Sequence, residues 1–96
     1  MTETVETRLR RLRMRSWRRG MKEMDLILGH FADGALSGLS GDQLDMYEML
    51  LSENDQDLYL WITRRVTGSD HADRGPASLA GLLDLIAGHA ASRVGG

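Results

Sequence analysis

Three histidines, a pair of neighbouring carboxylates and a run of arginines are the groups in this 96-residue chain whose types and spacing could do chemistry. His30, His71 and His89 are scattered, and none has a second His or a carboxylate at a familiar metal-ligand spacing. They read as exposed helix-end and loop residues. Glu23 and Asp25 are two apart, so on a helix they point to different sides and do not make a general acid/base pair. Gly34, Gly38 and Gly41 are spaced irregularly and follow no strand pattern, which argues against a phosphate-cradling loop. The chain has no Cys, excluding disulfides, thiolate nucleophiles and Cys-ligated zinc or iron–sulfur clusters. Arg8, Arg10, Arg11, Arg13, Arg15, Arg18 and Arg19 could track phosphates, although a solvated basic face is the commoner meaning of such a run. No catalytic residue, metal or self-held cofactor is expected.

The densest cluster of these groups is Arg18-Arg19-Gly20-Met21-Lys22-Glu23-Met24-Asp25. Glycine interrupts the helical pattern there and lets another backbone approach without a side chain intervening. Arg18, Arg19, Gly20, Lys22, Glu23 and Asp25 therefore form a candidate docking surface for a protein partner. A plainer reading has Gly20 merely separating two helices while Arg19 and Glu23, four apart, make a weak surface ion pair. Spacing alone favours the plainer reading.

The elements that must position this cluster are helical. Val5, Leu9 and Leu12 recur at helical spacing, predicting a first helix from about Thr4 to Arg18. Met21, Met24, Leu28 and Phe31, widened by Ile27, predict a second helix to about Ala32, ended by Asp33-Gly34. Ser40 and Gln43 have capping-box spacing ahead of a third helix carrying Leu44, Tyr47, Leu50 and Leu51. Asn54 offers the cap of a fourth, with acidic neighbours at the positive end of its dipole and Leu58, Trp61, Ile62 and Arg65 along it. Trp61 fits the apolar stripe, which leaves Tyr59 as a candidate partner contact; Trp17 reads as packing. Met21 and Met24 read as core. Residues 67–78 are rich in Gly, Asp and Ser and hold the only Pro, as a flexible connection would. Leu79, Leu82, Leu83 and Ile86 give a fifth helix, and 92–96 are expected to fray. The expected fold is all-α, a compact five-helix antiparallel bundle forming one domain over 1–96.

Charge is unevenly placed. Residues 1–22 carry eight Arg or Lys against Glu3 and Glu6, and residues 23–96 carry four against twelve Asp or Glu. A basic segment suits nucleic acid, an anionic membrane surface or an acidic partner, while the acidic remainder repels phosphate backbones, so the asymmetry favours a protein partner. No apolar run approaches the roughly 20 residues of a membrane span, and the charged start is unlike a signal peptide. A soluble protein, with no stable membrane insertion and monomeric when free, is expected.

Arg19-Gly20-Met21-Lys22-Glu23 resembles the RGxxE motif of the SdhE/succinate dehydrogenase assembly factor 2 family. Leu50-Leu51-Ser52-Glu53-Asn54-Asp55-Gln56-Asp57-Leu58-Tyr59-Leu60-Trp61-Ile62 is similar to that family's second signature, a Leu-rich helix end, an acidic turn and a Leu-aromatic-x-Trp helix. The likeness covers about residues 10–66, with Gln56 where Pro is frequent and a longer, more Gly-rich 67–78 connection. The resemblance implies an assembly factor, not an enzyme, that promotes covalent FAD attachment to the flavoprotein subunit of succinate dehydrogenase and in some cases of fumarate reductase. It implies that Arg19, Gly20 and Glu23 bind the partner, and that FAD belongs to the client. It also implies a bacterial cytoplasmic or mitochondrial matrix setting. No transit peptide is evident, since the first helix reaches the motif almost at once and contains acidic residues, so a bacterial cytoplasmic protein is expected. The competing expectation is an antitoxin-like or nucleic-acid-binding small helical module.

Overall fold

The computed structural model describes residues 3–69 and 73–95, with the backbone alone for 93–95. His71 and parts of the 67–78 connection and the 92–96 end lie outside the described residues. Five α-helices are present among the described residues: α1 (Val5–Trp17), α2 (Lys22–Ala35), α3 (Gly41–Leu51), α4 (Asp55–Thr67) and α5 (Ala80–Gly95), with single 3-10 turns at Leu36–Gly38 and Ala77–Leu79.

Local chemistry sets most of the starts. The Thr4 side chain accepts a hydrogen bond from the Thr7 N–H at the head of α1. Ser40 and Gln43 form the reciprocal capping box of α3, each side chain serving the other's backbone N–H. The Asn54 carboxamide accepts from the N–H groups of Gln56 and Asp57 and opens α4. These bonds satisfy donors that a helix start leaves without intrahelical partners.

Every helix buries an apolar stripe in one core. Leu12 from α1 meets Leu28 and Phe31 from α2, Tyr47 and Leu50 from α3, Leu58 and Ile62 from α4, and Leu83 and Ile86 from α5. Each such side chain contributes about 1.5–3 kcal/mol when taken fully from water, an upper bound given the compactness of unfolded chains. One polar pair shares the core. Ser16 donates to the Leu12 carbonyl at 2.8 Å, which leaves its oxygen to accept from the Tyr47 hydroxyl at 2.6 Å. Burial pushes the Tyr47 phenol up to about 12, against which the Ser16 hydrogen bond acts more weakly.

One expected helix end moves. The second helix does not stop at Asp33-Gly34 but runs to Ala35 and into the 3-10 turn. Both residues are used in tertiary contacts: Asp33 accepts from the Trp17 indole N–H at 3.2 Å, and a Cβ on Gly34 would stand 3.0 Å from His89 Nε2. Gly29, one turn earlier, lies under the Trp17 ring, where any Cβ would collide with the indole. Trp17 is thus packed across α2, edge-on to His30 at 5.1 Å.

Ion pairs tie α1 to α3. Arg8 reaches Asp45 at 2.6 Å and Glu48 at 3.0 Å, while Arg11 bridges Glu3 at 2.8 Å and Glu48 at 3.0 Å. The Arg11 hydrogen bond, aided by Arg8, holds the Glu48 carboxyl below its ordinary value. At the other end of the molecule Arg64 donates to the Asp73 carbonyl at 2.6 Å, and Arg65 donates to the Arg74 carbonyl and to Asp84 on α5 at 2.8 Å. Gly68 ends α4 in the left-handed region at φ 76°, and Gly75 adopts φ 98° where a Cβ would stand 2.8 Å from the Trp61 ring.

Candidate docking site

The junction between α1 and α2 is built around one guanidinium. Arg19 donates from Nε to Asp55 Oδ1 at 2.6 Å, from Nη1 to the Leu51 carbonyl at 2.6 Å and from Nη2 to the Glu53 carbonyl at 3.1 Å. The two carbonyls belong to the end of α3 and the turn that follows, groups that a helix leaves unpaired. The other Asp55 oxygen accepts from the Gly20 N–H at 2.9 Å. The Arg19 N–H donates in turn to Asp25 on α2. Arg19 and Asp55 side chains retain only 10% and 19% of their exposure, so water weakens this pair less than it does a surface ion pair.

Two stretches that lie far apart in the chain therefore meet. The Arg19-Gly20 junction and the Glu53-Asn54-Asp55 turn are one hydrogen-bonded unit that fixes α1, α2, α3 and α4 relative to one another. Arg19 is spent inward and pairs with Asp55, not with Glu23 four residues on. Asp25 is also internal to the unit. The groups presented outward are the backbone of Gly20 and the side chains of Arg18, Lys22 and Glu23, all exposed. A Cβ at Gly20 would meet nothing closer than Asp55 Oδ2 at 3.5 Å, an ordinary contact, so the notch is open on its outer side.

Tyr59 is half-buried one turn beyond Asp55 on α4. With Glu23, Leu26, Ile27, Ile62 and Val66 it lines a groove of about 340 Å³ between α2 and α4. Leu26 and Val66 are 44% and 47% exposed there, which makes the groove an apolar extension of the junction. Asp55 is the residue of this site that sequence reasoning missed as such. Its acidic character was legible, but its position at the first turn of α4 accounts for an acid by the helix dipole alone, and only the fold brings it to Arg19.

Among the described residues no three or more His, Asp or Glu side chains gather as metal ligands. Gly38 and Gly41 lie in open space, and no strand precedes either among the described residues. Among the described residues no helix is long and apolar enough to cross a membrane. Fold and junction together define a small helical domain in which an open glycine notch, an apolar groove and exposed charges of both signs lie side by side.

Residues 10–89 match the family model described as "Flavinator of succinate dehydrogenase", and the chain belongs to that family. It is 44% identical over 72 residues to the mitochondrial succinate dehydrogenase assembly factor 2 of Meyerozyma guilliermondii, covering 75% of this chain and 53% of that protein. The counterpart in Debaryomyces hansenii is 44% identical over 62 residues, 65% of this chain and 44% of its own. That of Candida glabrata is 35% identical over 74 residues, 77% of this chain and 48% of its own. The chain spans about half the length of these curated relatives. All three are named as mitochondrial proteins, which overturns the expectation of a bacterial cytoplasmic protein. The absence of Cys suits any reducing compartment and had no power to separate the two.

Proposed function

We propose that this chain is a non-catalytic assembly factor that docks on the flavoprotein subunit of succinate dehydrogenase and promotes covalent attachment of its FAD. The observation that carries the reading is the Arg19–Asp55 unit, which joins the two stretches resembling the family's signatures into one rigid support for an open glycine notch. Arg18, Lys22 and Glu23 meet the client around that notch, Arg19 and Asp25 hold its shape from within, and Tyr59 extends the contact along the groove. FAD remains with the client, and the bond-making groups are the client's own. The factor acts by favouring the arrangement of the client in which those groups meet, a population shift that needs only tighter binding to that arrangement.

Gly20→Ala separates docking from folding, because the added methyl has room within the chain but fills the notch. Client flavinylation, read as in-gel flavin fluorescence of the flavoprotein subunit, is expected to fall severalfold while the circular dichroism and melting of the variant match the unaltered chain. Normal flavin fluorescence with Gly20→Ala would refute the docking role of the notch.

A further inference from the structure

Five arginines line a cleft of about 440 Å³ along the outer side of α1. Thr7, Arg11, Met14 and Arg18 follow one another at steps of four, three and four, which places them in a row on one face of the helix. Arg10 and Arg15 flank this row. Two of the five guanidinium groups are answered from within the chain, Arg11 by Glu3 and Glu48 and Arg19 by Asp55. Arg10, Arg15 and Arg18 have no ion-pair partner among the described residues. Between them Met14 is 45% exposed, a flexible apolar surface set among cations.

Like charges on neighbouring turns repel, and although the C-terminal end of α1 favours cations at Arg15 and Arg18 through the helix dipole, no carboxylate among the described residues pairs with either. Both guanidinium groups are left with their hydrogen-bond donors open to a ligand from outside. We propose that the cleft receives a short acidic segment of the partner flavoprotein, its carboxylates held by Arg10, Arg15 and Arg18 and an apolar side chain resting on Met14. This rests on the docking role proposed above and names a second half of the same interface, since Arg18 and Arg19 belong to both the cleft and the notch junction. A peptide fits the charge distribution better than a nucleic acid does. Residues 23–96 carry twelve acids against four bases, so a long phosphate backbone leaving the cleft would run along a repelling surface, whereas a short segment ends within the basic zone. Arginine suits the task because its planar guanidinium makes paired, charge-assisted hydrogen bonds to carboxylates.

The test compares the unaltered chain with R10E/R15E, two positions outside the notch, for affinity to the isolated flavoprotein subunit by calorimetry. At about 0.1 M salt the double variant should bind about tenfold or more weakly, and the gap should narrow at about 1 M, where the screening length shrinks from about 10 Å to about 3 Å. R10Q/R15Q removes the charges without adding acids; it should give a smaller loss in the same direction and serves if R10E/R15E fails to fold. Equal affinities of unaltered and neutralised chains at about 0.1 M would overturn this proposal alone. No binding by the unaltered chain would overturn the docking role and this proposal together. Binding of the unaltered chain to duplex DNA or to phosphatidylserine vesicles that the double variant loses, with flavoprotein affinity unchanged, would assign the cleft to phosphates and overturn it as well.

Discussion

Asp55 is the residue on which the junction turns, since its two oxygens hold the Arg19 side chain and the Gly20 backbone at once. Hydrogen bonds to charged groups contribute more than neutral ones, and removing the carboxylate leaves a nearly buried guanidinium short of its partner. Asp55→Ala should therefore cost about 2 kcal/mol of stability, measured as a lower urea midpoint. Arg19 was legible as a functional candidate because of its neighbours, yet its inward direction was not, because its acceptors lie more than thirty residues away and no local pattern announces them. Tyr47 gives a second test at this scale. Its phenol, ordinarily near 10, is held protonated in the folded state up to about 12. The unfolded chain loses that proton first, so stability is intact below pH about 10 and declines as pH rises toward 12. Melting temperature should fall through that window, and Tyr47→Phe should flatten the fall.

Helices were legible wherever their ends depend on adjacent residues. Ser40 with Gln43 and Asn54 with its following amides are local chemistry, and α3 and α4 begin where those residues stand. The end of α2 was misplaced because Asp33 and Gly34 answer to Trp17 and His89, contacts that a short window of sequence does not contain. The clamp between α1 and α3 is likewise a product of tertiary placement. Glu48 is depressed chiefly by Arg11, so its contribution is present above its ordinary value of 4.5 and is lost as pH falls through the lower folded value. Thermal melts between about pH 5 and about pH 3 should show a steeper acid loss for the unaltered chain than for Glu48→Gln, which cannot titrate.

At the scale of the whole molecule the described residues of all five helices share one core, on which a chain of this size depends. Unfolding should be a single transition. Trp17 reports the α1–α2 contact and Trp61 the packing of α4 against the Gly75 turn, so single-tryptophan variants and far-ultraviolet circular dichroism should give coincident urea midpoints. Separated midpoints would show that the notch half and the α4–α5 half unfold independently. The all-helical architecture and the apolar stripes were legible because the helical period recurs in every segment; the route by which charges bind the segments together was not, because charge carries no period.

The chain on either side of positions 70–72 is moored. Arg64 and Arg65 grip the carbonyls of Asp73 and Arg74, and Gly75 is seated beneath Trp61, while the Ser69 N–H is held by the Arg64 carbonyl. Strain introduced between the moorings has little leverage on α4 or α5. A fluorophore-bearing tag grafted between these moorings gives a handle by which docking of the proposed client is followed in real time.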